Sequence, residues 1–131
     1  MTALELSVSG ISRKADYEYF INNPDELWHV AVVESSGTLE GFLVSCGSQA
    51  FNMIGPGVMR TEDQAAALLY HQLNQHPGRS PVFLLPVSCG KLAQHAYSWG
   101  GLNCEMHVAQ SHGEARPFSG VAMPTFLPET G

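Results

Sequence analysis

The chain has 131 residues, 44% of them hydrophobic, which suits one domain spanning residues 1–131 with a core of its own. Only 14% are charged, the formal net charge is −6, and the six basic residues (Arg13, Lys14, Arg60, Arg79, Lys91, Arg116) are scattered; no basic stripe exists to displace counterions, so a nucleic-acid surface is excluded. No apolar run approaches the thickness of a bilayer, and "MTALELSVSG" lacks the basic start and long apolar stretch of a signal peptide, so no membrane role is expected.

In chain order, "LELSVSG" alternates apolar and polar residues, with Leu4, Leu6 and Val8 on one face, and predicts a short edge strand. "SRKADYEYFINN" predicts a helix capped by Ser12, with Tyr17, Phe20 and Ile21 on one side and Asn22-Asn23-Pro24 ending it. "LWHVAVVE" (27–34) and "LEGFLVSC" (39–46) predict a hairpin turning at "SSGT". "FNMIGPGVM" (51–59) predicts a third strand whose Gly55-Pro56-Gly57 marks an edge, bulge or splayed position.

Thr61 then caps a helix, and Gln64 three residues on completes a capping box. Ala65, Leu68, Leu69 and Leu73 recur at helical spacing up to the Pro77-Gly78 stop. "PVFLLPV" (81–87) predicts a strand buried on both faces. "GKLAQHAYSWGG" (90–101) predicts a helix with Leu92, Ala93, Ala96 and Tyr97 inward. "LNCEMHVAQ" predicts another strand, and a last one falls around Gly120 to Met123. The fold class expected is α/β (α+β): a mixed, mostly antiparallel sheet of six to seven strands with helices on both faces.

This element order, with two motifs, resembles the GNAT N-acetyltransferase superfamily, over roughly residues 27–127. GNAT proteins carry Arg/Gln-x-x-Gly-x-Gly/Ala before a helix with a leucine pair; "RTEDQAAALL" offers Arg60, Ala65, Leu68 and Leu69 in those places. They often carry Asn-x-x-Ala-x-x-x-Tyr-x-x-x-Gly-Phe; here Gly90, Ala93, Tyr97, Gly101 and Leu102 stand at those spacings. The end of the chain is also similar to the C-terminal domain of tandem GNAT proteins.

The resemblance implies acetyl-CoA as cofactor and transfer of its acyl group to an amine on an unidentified small molecule or protein. The pyrophosphate would rest on Val58, Met59, Arg60, Thr61, Glu62, Asp63, Gln64 and Ala65, with Gly90 nearby. Backbone N–H groups at a helix N-terminus favour such an anion. The pantetheine arm would lie between splayed strands, and Tyr97 would protonate the departing thiolate.

Three departures bear on this. Asp63 stands where the family has glycine, and beside it Glu62 adds a second carboxylate facing a diphosphate. Helix-terminal charges are worth about 0.3–1 kcal/mol each, so two acids oppose much of what the helix dipole contributes. The same acids also stabilise a helix start for its own sake. Residues 10–27 leave room for one short helix where the family builds an acceptor wall from two. No carboxylate on the third strand serves as base, and His29 is the remaining candidate. The alternative function is therefore a GNAT-like module without chemistry that forms a homodimer or pairs with another GNAT domain, its "GVAMPTFLP" (Val121, Met123, Phe126, Leu127) offering a strand for pairing.

The other constellations are weaker. His71 and His76 diverge on a helix, Cys104 and His107 face opposite sides of a strand, and no metal site is expected. Cys89 at a strand-to-helix turn lacks a specified His/Asp partner. Cys46, Cys89 and Cys104 are an odd, sparse set that suggests no disulfides and a cytoplasmic setting.

Overall fold

A computed structural model describes residues 1–110, 112–114 and 116–125. Nine elements follow in the order α1 (Thr2–Ser9), α2 (Lys14–Asn22), β1 (Trp28–Ser35), β2 (Thr38–Gly47), β3 (Asn52–Met59), α3 (Glu62–Leu73), β4 (Val82–Phe83), α4 (Gly90–Ser98) and β5 (Val121–Met123). The class is the mixed α+β one expected, with five strands among the described residues in the order β1-β2-β3-β4 and β5 also on β3. No described helix is long and apolar enough to cross a membrane.

The first element corrects the sequence reading. Residues 2–9 are helix, not strand. Leu4 and Val8, four apart, are both buried, while Leu6 is exposed. The stretch satisfies a period of two and a period of 3.6 about equally. The helix is ended by Gly10 in a left-handed conformation (φ 75°), whose N–H bonds the Leu6 carbonyl. The second helix starts at Lys14, with Arg13 and not Ser12 at its N-cap. Glu5 is wholly buried, and its carboxylate accepts the Arg13 Nε–H at 2.7 Å and the Arg13 backbone N–H at 3.1 Å. This ion pair fixes α1 to the start of α2.

β1 and β2 form the expected hairpin, turning at Ser36-Gly37, both with positive φ. β2 and β3 pair antiparallel from Gly41↔Met59 to Gly47↔Asn52. One face carries α1 and α2 over Phe42, Val44 and Val58, with Tyr17 edge-on to Phe42 at 5.0 Å. The other carries α3 and α4 over Leu43, Ile54 and Met59. Inside that second layer, fully buried Gln72 donates to the carbonyls of Leu43 (2.6 Å) and His29 (3.0 Å) and accepts from Ser45 (2.8 Å), so its amide is paired at both ends.

Two further expectations change. "PVFLLPV" gives only the two residue pairs Met53↔Val82 and Ile54↔Phe83, parallel to β3. The proline rings at 81 and 86 remove ladder donors on either side. The run is not buried on both faces: Val82 is exposed and Val87 lies 91% open. "LNCEMHVAQ" makes no strand; residues 102–110 are exposed and irregular. The last strand is as expected, Val121–Met123, while Phe126 and Leu127 lie outside the described residues.

Candidate functional site

The edge of β3 opposite β2 serves two partners in succession. Met53 and Ile54 pair with β4. Gly57, Val58 and Met59 pair with Met123, Ala122 and Val121 of β5, antiparallel. The change falls at Gly55-Pro56, where the peptide bond is cis. β3 and β4 therefore part after two residues, and the gap beside the second half of β3 is filled by the chain's own last strand.

Two glycines permit the fit. At Gly120 (φ +149°) a Cβ would lie 2.5 Å from the Met59 carbonyl oxygen, and at Gly55 (φ +135°) one would lie 2.6 Å from that of Pro124. Ser119 N–H donates to the Val8 carbonyl at 2.8 Å and so ties the approach to β5 onto α1.

The residues that the resemblance assigns to the pyrophosphate, Val58 to Ala65, run from the end of β3 into α3, with their backbone groups largely engaged. Val58 and Met59 are buried within β3 and paired on both edges. Arg60 is exposed; its N–H reaches the Glu40 carbonyl and Gln64 Oε1, and its guanidinium lies 3.4 Å from the Glu40 carboxylate. The capping box forms as expected: Thr61 Oγ1 accepts the Gln64 N–H at 3.2 Å, and Gln64 Oε1 accepts the Thr61 N–H at 3.2 Å. The buried Ala65 donates its N–H to the Thr61 carbonyl. The remaining donors of the turn are the N–H groups of Glu62 and Asp63, each on a residue with a carboxylate of its own.

Those two carboxylates have different positions. Glu62 Oε2 accepts the Leu92 N–H at 2.9 Å, in the first turn of α4. Cys89, the N-cap of α4, makes no side-chain capping hydrogen bond, and Glu62 supplies an anionic acceptor there from the neighbouring helix. Asp63 is exposed, and its carboxylate makes no hydrogen bond or ion pair among the described residues.

Gly90 is exposed at the first position of α4. Tyr97 departs from its predicted inward position. It is 53% exposed, and its hydroxyl donates to Asn103 Oδ1 at 2.8 Å. The inward line of α4 runs from Leu92 to Ala96, and the next residue is rotated by about 100°. Cys89 is buried; burial pushes its thiol pKa up, and against a smaller opposite pull from Ser88 the nearby Glu62 adds to the rise.

Sequence reasoning missed a histidine pair at the other end of the sheet. His76 is 3% exposed, neither ring nitrogen has a hydrogen-bond partner, and its ring meets that of His29 edge-on at 6.4 Å. Arg79 is anchored beside it by the Gly47 and Ser48 carbonyls at 2.6 and 2.5 Å. A signal existed in "HPGR", where a turn just past a helix returns the chain to the sheet end. Among the described residues, no group of three or more His, Cys, Asp or Glu side chains is arranged to hold a metal. Comparison of the chain with known protein families, curated proteins and solved structures finds no match.

Proposed function

We propose that this chain is a GNAT-like interaction module without acetyl transfer of its own, in which the coenzyme slot of the resembled fold is occupied by the chain's own last strand. The observation that carries the reading is the pairing of β5 with Gly57, Val58 and Met59, the last two of which the resemblance assigns to the coenzyme. The engaged turn supports it. Arg60, Thr61, Gln64 and Ala65 direct their N–H groups to protein oxygens, and Glu62 serves α4. The two N–H groups left for a diphosphate, those of Glu62 and Asp63, each sit beside a carboxylate that opposes one.

The test is calorimetric titration of the purified chain with acetyl-CoA. We predict no heat and no thermal shift at about 1 mM ligand, because binding requires β5 to leave. Micromolar affinity, about −8 kcal/mol, would overturn the reading.

One observation favours the second reading, a CoA-dependent N-acetyltransferase acting on a small amine or protein. β3 and β4 part after Ile54, as strands that admit a pantetheine arm must. In that case Val58 to Ala65 with Gly90 would hold acetyl-CoA once β5 withdrew, and Tyr97 would be the general acid. A homodimer, or pairing with another GNAT domain in the cytoplasm, belongs to the first reading.

A further inference from the structure

We propose that the end of the sheet where His29, His76 and Arg79 meet beside Gly47 is a binding site for a small oxyanion, a phosphate or a carboxylate; the site lies apart from the start of α3 and does not rest on the interaction-module reading.

Three basic side chains converge there from different parts of the chain. His29 is the second residue of β1, and His76 lies three residues past the end of α3. Arg79 follows in the same turn, its N–H bonding the His76 carbonyl at 3.1 Å. The two imidazoles meet edge-on at 6.4 Å. Two N–H groups of the Arg79 guanidinium bond the Gly47 and Ser48 carbonyls, both neutral acceptors, and its other donors are left over. Among the described residues no carboxylate pairs with Arg79, His29 or His76. In a chain with twelve acids against six Lys and Arg, this is a basic spot without a counter-charge.

The second observation is buried polar capacity that the protein does not use. His76 is 3% exposed, and both its ring nitrogens are buried with no hydrogen-bond partner. An imidazole carries at least one N–H, and buried groups of that kind are nearly always paired. Asn52 stands opposite Gly47 across the β2–β3 ladder and so projects from the same side of the sheet. Its Oδ1 is also buried and unpartnered. Three of the five such atoms among the described residues therefore fall at one end of one face.

The third observation is room. Gly47 is not among the residues with positive φ, so its backbone does not call for glycine. A Cβ there would meet nothing nearer than the Leu27 carbonyl oxygen at 3.6 Å and His29 Nε2 at 3.8 Å. Glycine thus leaves space in front of Nε2, and because His29 is exposed the space opens to solvent.

Charge decides the class of ligand. Two imidazoles could suit a metal ion, but the groups that act on His76 repel a cation. Burial lowers its pKa most, Arg79 next, and His29 adds to the effect. The field that disfavours positive charge at this point attracts a negative one. An oxyanion can accept from the remaining Arg79 donors, from His76 N–H and from His29 protonated at Nε2, and the Asn52 amide, turned over, offers its NH2 group.

The test follows the His76 ring C–H signals by NMR, and the thermal midpoint beside them, on the full chain near pH 7. Sodium phosphate or sodium acetate replaces sodium chloride at constant ionic strength. We expect a saturable shift of the His76 signals with half-saturation at about 1 mM for at least one of the two anions, and a rise in the midpoint. The anion that produces it tells a phosphate site from a carboxylate site. His76→Phe keeps the bulk of the ring and breaks no hydrogen bond, so it folds, and it is expected to weaken the thermal response at least about tenfold. Gly47→Asp places a carboxylate in the space beside His29. It is expected to raise the midpoint in chloride alone and to abolish the response to added anion, whereas Gly47→Asn, of the same size without the charge, should not raise it. No saturable shift up to about 50 mM of either anion overturns the inference. So does a midpoint that rises equally in His76→Phe, the mark of an anion held elsewhere. The twelve residues of α3 span about 18 Å and His76 lies past the far end, so its signals do not report on the turn that the acetyl-CoA titration probes, and the two proposals fail separately.

Discussion

The two faces of the sheet are held by different kinds of buried polar contact. On the α1/α2 face the contact is ionic: Glu5 is sealed from water with Arg13 as its partner. On the α3/α4 face it is neutral: Gln72 distributes its amide among Ser45, Leu43 and His29. A buried charge depends on one partner, whereas an amide shared among three loses its support in smaller steps. Helices α1 and α2 are also short, of eight and nine residues, and isolated helices of that length are marginal in water. The ionic face should therefore be the brittle one.

Arg13→Ala is the most severe way to test that contrast. It leaves Glu5 buried without its counter-charge and is expected to cost about 3–5 kcal/mol of unfolding free energy in a urea titration. A loss below about 1 kcal/mol would mean that the pair is solvated in solution and that the two faces do not differ.

A smaller change probes the other face at the helix starts. Glu62→Ala removes the anionic acceptor from the first turn of α4 and is expected to cost about 1–2 kcal/mol. Asp63→Ala, on an exposed residue of the same turn, should stay within about 0.5 kcal/mol. Equal effects in thermal or chemical denaturation would return both acids to the common role of complementing a dipole.

The smallest effect is a dependence on pH. Burial lowers the pKa of His76 below its ordinary 6.5, with Arg79 and His29 contributing. The unfolded imidazole takes up a proton first as pH falls, so this group's contribution is present above about pH 6.5 and is lost towards the lower, folded pKa. Urea midpoints measured from pH 7.5 to 5.5 should fall for the native chain and fall less for His76→Phe. Identical slopes would mean that His76 does not titrate on unfolding in this range.

The hairpin, the capping box and the helix of paired leucines were legible because each is written locally. Ser36-Gly37 sets its own turn, and Thr61 and Gln64 reach each other across three residues. What was not legible lies across the chain. Leu4, Leu6 and Val8 fit two periods, and burial under α2 and β3 decided between them. Tyr97 matches a family spacing, but the direction of its side chain is set by how α4 leans on α3. The use of Glu62 as a cap for α4 joins positions thirty residues apart, which no local pattern records. At the turn itself, the capped helix start was readable from "RTEDQAAALL", whereas the pairing of residues 121–123 with Gly57, Val58 and Met59 required knowing which edge the last strand would take.

That last strand sets an order of assembly. The second half of β3 lies ready as soon as its hairpin with β2 closes, yet the partner for its other edge is the final described element of the chain. Contacts between segments so distant in sequence carry a larger loop-closure entropy and form late. Until they form, Gly57, Val58 and Met59 present an unpaired strand edge flanked by apolar side chains. The vulnerable interval in the life of this molecule is therefore the time between folding of its hairpin and arrival of residues 121–123, when any extended chain, its own or another's, can take their place.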